Sequence, residues 1–347
     1  MSTLSQRNKE RLNQSLQGKM SDATPFYLFV SYPFVQSATG VCLKDYFTSP
    51  KLMFDTQMEL YEKLEGCFSF YPDYALLPEC HCLGGELIFD RGGMPGTKAV
   101  KINSIGDVKK LKIGDPYGGS LMTNALEALA YMKKHAPADA DVTGPMLVGP
   151  VTASAMLRGI TDFCTDLYTE PEIVEALLEL VTDTQIKYLK AQEKILGKLD
   201  KILIADDISS FLSVEFFYKY VKPSYDKIFK EFPLAQKWLH NDAVATHLAP
   251  EIAAYGFDVW HVGFCIDMIA ASKTMPNRKT VLLGNIIPID ELVKPKPETV
   301  KEICNKMMDR FEEDPRFVLS TGGFISYGTP IENVKAMMYA ADARSRK

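Results

Sequence analysis

Short apolar runs alternate with longer amphipathic stretches along most of this 347-residue chain. Eight of the runs lack polar alternation, which is typical of parallel strands that are covered on both faces. They are residues 26–30, 67–70, 145–149, 201–205, 236–240, 257–262, 280–284 and 316–320. Between them, apolar positions recur at helical spacing, most clearly over residues 173–181 and 300–308. The pattern predicts successive βα units and an α/β fold, a single (β/α)8 TIM barrel.

Two parts of the chain do not follow this alternation. Residues 1–22 precede the first predicted strand and predict an N-terminal helical extension. Residues 83–117 are interrupted by glycines and prolines, which break a helix, so they predict a loop or hairpin insertion. The sequence shows no long linker between two cores, and we therefore expect one domain over residues 1–347.

Composition narrows the possible partners and the location. The formal net charge of −5 gives no general attraction for nucleic acid or anionic lipid. The first 20 residues are polar and mixed in charge, without the apolar core of a signal peptide, and no apolar run is long enough to span a membrane. Seven scattered cysteines are too few for a secreted disulfide scaffold. We therefore expect a cytoplasmic protein with reduced thiols.

His240 and Asp242 follow the fifth predicted strand directly. Residues i and i+2 of an extended segment project to the same side, so the two side chains could hold a divalent metal or share a proton. The alternative is a neutral, hydrogen-bonded histidine near the core and an aspartate that caps the next helix. In a barrel the carboxyl ends of the strands carry the working residues, which makes both of them candidate catalytic residues.

Asp206 and Asp207 end the fourth predicted strand. Consecutive residues of a strand point in opposite directions, so we expect one of the two carboxyl groups to reach the cavity, as an acid or as a hydrogen-bond acceptor for substrate. The other is expected to be structural. Both are therefore candidates for the catalytic acid.

Aromatic and hydroxyl side chains follow other predicted strands. Gly322 and Gly323 open the loop after the eighth strand, where they could let backbone amides approach a ligand or simply permit a turn. Tyr327, in the same loop, is a further candidate acid. Aromatic residues at strand ends could sandwich a flat substrate, although simple packing is the alternative. The aromatic candidates for substrate binding are Tyr32, Phe34, Trp260 and Phe264.

The cluster Glu79, Cys80, His81 and Cys82 contains residue types that bind zinc. Adjacent residues send their side chains in divergent directions, and no second Cys/His pair stands nearby in the sequence. A buried turn or the start of a helix is therefore expected in place of a metal site.

Several segments resemble the uroporphyrinogen decarboxylase superfamily, and in particular its corrinoid-dependent methyltransferase branch. The segment from Gly149 to Gly159 is similar to that branch's Gly-Pro-(Phe/Val)-Thr-x-Ala motif, and residues 168–172 resemble the branch's next segment. Residues 206–216 and 255–259 look like other stretches of the family. The resemblance runs through most of the chain and also implies a TIM barrel. We expect Arg158, within the first segment, and His261 to contact substrate.

The resemblance also implies a possible metal. In zinc-dependent methyltransferases of this branch, a histidine, a cysteine two residues later and a cysteine in a later loop hold zinc, which activates a thiol. His240 matches that histidine, whereas Asp242 and Gly323 stand at the two cysteine positions. A histidine with one carboxylate makes a harder and incomplete site. Zinc at His240 and Asp242 is thus an expectation that only part of the motif supports.

The superfamily also includes enzymes that pass a methyl group from a substrate to a partner's cob(I)alamin. The predicted function is therefore methyl transfer from a small O-methylated donor, such as a methoxylated aromatic, to a separate corrinoid protein. The chain lacks an Asp-x-His-x-x-Gly motif, so the cobalamin is expected on the partner. One alternative is a uroporphyrinogen decarboxylase, although that family's arginine-rich first segment is missing from residues 26–34. The other is a non-catalytic ligand-binding barrel.

Overall fold

Most of the uninterrupted apolar runs form parallel strands in the computed structural model of the protein, which describes residues 2–89, 95–275 and 277–346. The strands are β1 Glu86–Phe89, β2 Pro95–Lys98, β3 Leu147–Val148, β4 Lys201–Ala205, β5 Gln236–Asn241, β6 Val259–Val262, β7 Val281–Ile286 and β8 Phe317–Thr321. Strands β3 and β4 are parallel to each other, and so are β5 to β8; helices connect the successive strands of each set, so the fold class is α/β.

Amphipathic segments between the strands form the helices. These are α1 Leu4–Leu16, α2 Tyr32–Thr39, α3 Leu43–Tyr46, α4 Pro50–Lys63, α5 Pro78–Cys82, α6 Ile105–Val108, α7 Leu121–His135, α8 Pro150–Arg158, α9 Ile160–Thr169, α10 Pro171–Leu196, α11 Val214–Phe216, α12 Lys222–Glu231, α13 Ala249–Tyr255, α14 Met268–Lys273, α15 Pro297–Asp309 and α16 Ile331–Ala343. Within the described part of the chain, no helix is both long and apolar enough to cross a membrane.

The chain divides into two compact units. The terminal unit comprises Met1–Val41, Asp55–Ser69 and Gln236–Lys347, and the middle unit comprises Cys42–Phe54 and Phe70–Ala235. Each unit contains its own set of parallel strands. The candidate residues after β5, β6 and β8 belong to the terminal unit, and those after β3 and β4 belong to the middle unit.

In the terminal unit, β5, β6, β7 and β8 lie side by side in chain order. Every residue of β6, β7 and β8 is buried, as expected for parallel strands that are covered on both faces. Phe26 forms a parallel bridge with Leu319 of β8. The side chain of Asn8 on α1 binds the same residue, because its amide donates to the Phe26 carbonyl and its oxygen accepts from the Phe26 N–H, both at 2.9 Å.

In the middle unit, β3 pairs in parallel with β4, and Phe70 forms a parallel bridge with Val142. The Val148 N–H donates to Oε1 of Glu79 at 3.2 Å, and the Val148 carbonyl accepts from the amide of Gln185. Strands β1 and β2 form an antiparallel hairpin, which confirms the predicted hairpin within residues 83–117. Residues 90–94 of that insertion lie outside the described part of the chain.

Six of the eight predicted strands are confirmed as β3 to β8, and their ends lie within two residues of the predicted ones. The prediction was wrong for residues 26–30 and 67–70, which contain only single bridges at Phe26 and Phe70. The physical reason at Phe26 is that both its backbone groups are bound by a helix side chain, Asn8, which takes the place of a strand partner. Helix α1 matches the predicted N-terminal extension.

Candidate functional site

His240 and His261 lie near the carboxyl ends of β5 and β6 and form a buried pair. They are direct partners in the register of the two strands, so their side chains project to the same face. The imidazole rings stack with their centroids 4.5 Å apart and their planes at 29°. His240 is 2% exposed and His261 is fully buried. The two neighbouring strands thus place two titratable rings in contact.

His261 is fixed in one tautomer. Its Nε2 lies 2.7 Å from the carbonyl oxygen of Thr321, which can only accept, so Nε2 carries the proton. Phe29 stacks on the ring with a centroid distance of 4.0 Å and an interplanar angle of 6°. Burial, together with the neighbouring charge of His240, lowers the pKa of His261 to about 3. His261 is therefore a neutral ring, and its Nδ1 has no hydrogen-bond partner among the described residues.

Asp242 stands beside the stacked histidines. Its Oδ1 lies 3.5 Å from Nε2 of His240, and 39% of its side chain is exposed. Burial would raise the pKa of Asp242, but the hydrogen bond from His240 and the charge of His240 outweigh it, so the net pKa is lowered. Asp242 is thus held as a carboxylate, and the pair connects a buried imidazole to a partly exposed acid that can exchange protons with solvent.

Gly323 lies directly against this carboxylate. A Cβ atom at position 323 would be 3.1 Å from Oδ1 and 3.3 Å from Oδ2 of Asp242. The loop is held there in part by Thr321, whose hydroxyl donates to the Gly323 carbonyl at 2.6 Å. Positions 240, 242 and 323, which the sequence aligned with the zinc ligands of related enzymes, therefore converge in the structure.

The residues at these positions do not fit a zinc centre. Catalytic zinc sites use three protein ligands, and Gly323 supplies none, which leaves one imidazole and one carboxylate. His261 cannot supply the third ligand. A metal bound to an imidazole nitrogen lies in the plane of that ring, at ~2.1 Å from the nitrogen for zinc. The ring planes of His240 and His261 are tilted by 29°, and they meet far beyond that distance. No group of three or more metal-ligating side chains is found in the described ranges 2–89, 95–275 and 277–346.

Asp206 is the centre of a separate polar cluster in the middle unit. Its Oδ1 accepts from the backbone N–H and the hydroxyl of Thr152, at 2.8 and 2.7 Å, and its Oδ2 accepts from the Tyr225 hydroxyl at 2.9 Å. Burial raises the pKa of Asp206 to about 6, against these hydrogen bonds. Thr152 lies in the first turn of α8, so the carboxyl group also caps that helix. Asp207, the next residue, is half-buried and begins the following turn.

Arg158 lies at the end of α8 and binds two acids of α9. Its guanidinium donates to Asp166 at 2.7 Å and to Asp162 at 2.9 Å. Only 15% of the Arg158 side chain is exposed. In this arrangement the charge of Arg158 is neutralised within the middle unit, and contact with substrate stays a prediction.

The predicted aromatic residues differ in burial. Phe34 and Trp260 are fully buried, and the Trp260 indole donates to Oδ1 of Asn241 at 2.9 Å. Tyr32 is half-buried at the start of α2. Phe264 and Tyr327 are exposed, by 43% and 63%. The structure brings His240, Asp242 and His261 together, whereas their roles and those of the aromatic candidates are still predictions.

The Glu79–Cys82 cluster forms the short helix α5, as expected. Glu79 is fully buried, and burial raises its pKa to about 8. Nδ1 of His81 accepts from the Leu121 N–H at 3.1 Å, which anchors the start of α7. These side chains are used within the middle unit to hold β3 and α7.

Sequence reasoning missed several residues that build the two clusters. In the terminal unit these are Phe29, which stacks on His261, and Thr321, whose carbonyl oxygen accepts from Nε2 of His261. In the middle unit they are Thr152 and Tyr225. The available signal was position: Thr321 is the last residue of β8, and Thr152 lies in the first turn of the helix that follows β3.

Residues 7–344 match the uroporphyrinogen decarboxylase (URO-D) family, nearly the whole chain. The chain belongs to the URO-D family. A solved structure titled methyltransferase from Methanosarcina mazei is similar to it, with a TM-score of 0.82, 20% identity and 99% of both chains covered. At this identity the likeness shows the fold, and it agrees with a URO-D-type α/β architecture.

Curated relatives in this family include methyltransferases. The methylcobamide:CoM methyltransferase MtbA of Methanosarcina acetivorans is 26% identical over 341 residues, covering 96% of this chain and 97% of that protein. The methylated-thiol–coenzyme M methyltransferase of Methanosarcina mazei is 26% identical over 201 residues. That second match spans 56% of this chain and about half, 52%, of the relative.

Proposed function

We propose that the chain is a corrinoid-dependent methyltransferase that moves a methyl group from a small O-methylated donor to the cob(I)alamin of a separate corrinoid protein. The match to a methylcobamide:CoM methyltransferase along nearly all of both chains supports the corrinoid substrate. The observation that carries the choice of donor is the pair His240–Asp242 beside Gly323. This acid–base pair stands at positions where the resemblance implies two cysteines in zinc-dependent methyltransferases.

The reaction needs a proton as well as a nucleophile. Cobalt(I) of the partner attacks the methyl carbon, and the carbon–oxygen bond breaks with both electrons going to the oxygen. The oxygen must then be protonated, because a free alkoxide or phenolate is a poor leaving group. We propose that His240 delivers that proton, and that Asp242, whose carboxylate is 3.5 Å away, takes a new proton from solvent and passes it back to His240. The products are the demethylated donor and methylcob(III)alamin.

The neutral ring of His261 has a different role in this proposal. Held by Thr321 on one edge and by Phe29 on one face, it cannot compete with His240 for the proton. Its flat, uncharged ring stacks on the ring of His240. His261 therefore orients the acid, which is the kind of pre-organisation that proton transfer in an active site requires.

The proposal includes a closed eight-stranded barrel and a cytoplasmic location. The parallel bridges of Phe26 with Leu319 and of Phe70 with Val142 support the first two barrel strands, and the solved Methanosarcina mazei methyltransferase, similar over 99% of the chain, supports the fold. Cob(I)alamin is a strong reductant, and the free cysteines of the chain suit a reducing compartment.

The test is an anaerobic assay of the purified chain with cob(I)alamin and a set of methoxylated aromatics, methanol and methylated thiols. We expect methylcob(III)alamin to form from an O-methylated donor, and we expect Asp242→Asn to lower kcat/KM by about 10²–10⁴-fold because the proton relay is lost. The matched control is Asp290→Asn, an exposed acid that pairs with Lys294 in the same unit and should leave the rate unchanged.

Three results would contradict the proposal. Transfer only from methylated thiols would assign the chain to a thiol reaction. Carbon dioxide release from uroporphyrinogen, without methyl transfer, would make it a decarboxylase of its family. Asp242→Asn with full activity would remove the proton relay from the mechanism.

A further inference from the structure

The end of β5, the loop after β5 and the loop after β8 meet at one point in the terminal unit. His240 comes from the end of β5, Asp242 from the loop after it, and Gly323 from the loop after β8. The distances of 3.5 Å from His240 to Asp242 and 3.1 Å from Asp242 to the position of a Cβ on residue 323 define the point. Side chains of suitable length at these three positions would converge on a single small volume.

We infer that this chain works without the zinc centre that the resemblance implies for zinc-dependent methyltransferases, and that the three converging positions form a metal-free imidazole–carboxylate pair beside a glycine. The inference rests on the proposed function for its place in the reaction. It also deepens that function, because a site without a soft metal suits a donor whose leaving atom is an oxygen and needs a proton.

The chemistry of the donor set carries the inference. Two thiolates and an imidazole form a soft, three-ligand zinc site, whereas one imidazole and one carboxylate give two donors of which one is hard. His261 does not add a ligand to this set. Its Nε2 donates to the Thr321 carbonyl, and its ring stacks on the rings of Phe29 and His240. The rings around His240 are those of Phe29, His261 and the half-buried Phe324.

Gly323 has no side chain that could act as a third metal ligand. Its backbone has φ near +139°, which side chains rarely adopt, so the loop itself is now built for glycine. The Asp242 carboxylate stands next to Gly323, where the resemblance puts a cysteine: a Cβ at position 323 would lie 3.1 Å from Oδ1 and 3.3 Å from Oδ2.

The test measures metal content, which does not depend on whether methyl transfer is found. The wild-type chain and the variants His240→Ala, Asp242→Cys and Asp242→Cys/Gly323→Cys are expressed in zinc-supplemented medium, washed with a weak chelator and analysed for zinc per chain. We expect far less than one zinc per chain in the wild type, no change in His240→Ala, and a gain to near-stoichiometric zinc only in the double variant, which restores one imidazole and two thiolates.

Three results would overturn the inference. Near-stoichiometric zinc in the wild type that is lost in His240→Ala would show a metal site at these residues. A double variant that folds, as judged by circular dichroism, but takes up no more zinc than Asp242→Cys would show that the three positions do not converge. If the strained backbone at residue 323 prevents folding, the wild type and His240→Ala still decide whether the site is metal-free. Methyl transfer by a zinc-loaded wild type would overturn this inference while leaving the proposed function intact.

Discussion

Asp206 and Gly149 show how closely one buried acid is enclosed. A Cβ on Gly149 would lie 2.1 Å from Cγ of Asp206, far inside van der Waals contact. The same carboxyl group is held by Thr152 and Tyr225 through three hydrogen bonds. Both oxygens are therefore occupied, and the geometry suits a group that fixes the start of α8 at least as well as one that reacts.

Gly149→Ala should destabilise the protein strongly. The added methyl group overlaps Asp206, and the backbone between β3 and α8 has to move, which we expect to cost about 3 kcal/mol or more in the free energy of unfolding. Chemical denaturation of the purified variants measures it. Gly106→Ala is the matched control, because its Cβ would meet only the Ser104 hydroxyl at 3.4 Å, and it should change stability little. Equal effects of the two substitutions would contradict the described packing around Asp206.

The strands after residue 140 could be predicted because each is an uninterrupted apolar run, and burial on both faces leaves that pattern in the sequence. The segments at Phe26 and Phe70 could not be separated from true strands in this way. The side chain that binds the backbone of Phe26 lies 18 residues away, on α1. Val148 is similarly bound by Glu79, 69 residues earlier. No local sequence pattern predicts such hydrogen bonds between a side chain and a distant backbone group.

Asn8→Ala tests whether α1 stabilises the segment around Phe26. The substitution leaves the Phe26 N–H and carbonyl without the two hydrogen bonds from Asn8 in a buried place, which should cost about 2–4 kcal/mol. Thermal and chemical unfolding measure the loss. Asn13→Ala, an exposed residue of the same helix, is the control and should be neutral or slightly stabilising. A loss of less than about 0.5 kcal/mol for Asn8→Ala would show that α1 does not secure this segment.

The candidate site was predictable in part. His240 and Asp242 were visible because they follow a strand directly, and the structure places them together. The stack of Phe29, His261 and His240 was not visible, because it joins three segments that are far apart in sequence. The same holds for the carbonyl of Thr321, which fixes the His261 tautomer from 60 residues away. Register and tautomer depend on tertiary contacts that a single sequence does not display.

The stability of the whole chain should depend on pH through its buried acids. Burial raises the pKa of Glu79 from 4.5 to about 8, so the folded state keeps a proton that the unfolded state has lost. The stabilising effect of that proton is complete below pH 4.5 and is lost as pH rises through 8. The free energy of unfolding should therefore fall between about pH 5 and pH 8, by up to about 1.4 kcal/mol per pH unit for this group. Asp206, with a pKa of about 6, adds to the slope at the lower end.

Glu79→Gln should flatten this dependence, because a neutral amide keeps the acceptor for the Val148 N–H and cannot ionise. Denaturant unfolding at several pH values between about 5 and 9 measures the slope. Glu86→Gln is the control, since Glu86 is an exposed partner of Lys98 and should leave the slope unchanged. An unchanged slope in Glu79→Gln would mean that Glu79 is ionised in the folded protein.

The most direct test of methyl transfer follows the methyl group itself. The purified chain is incubated anaerobically with cob(I)alamin and a methoxylated aromatic that carries carbon-13 in its methyl group, and the corrinoid is analysed by mass spectrometry. We predict chain-dependent appearance of labelled methylcobalamin together with the demethylated phenol, in equal amounts. Unlabelled corrinoid with every O-methylated donor, in the presence of folded protein, would contradict the proposed methyl transfer.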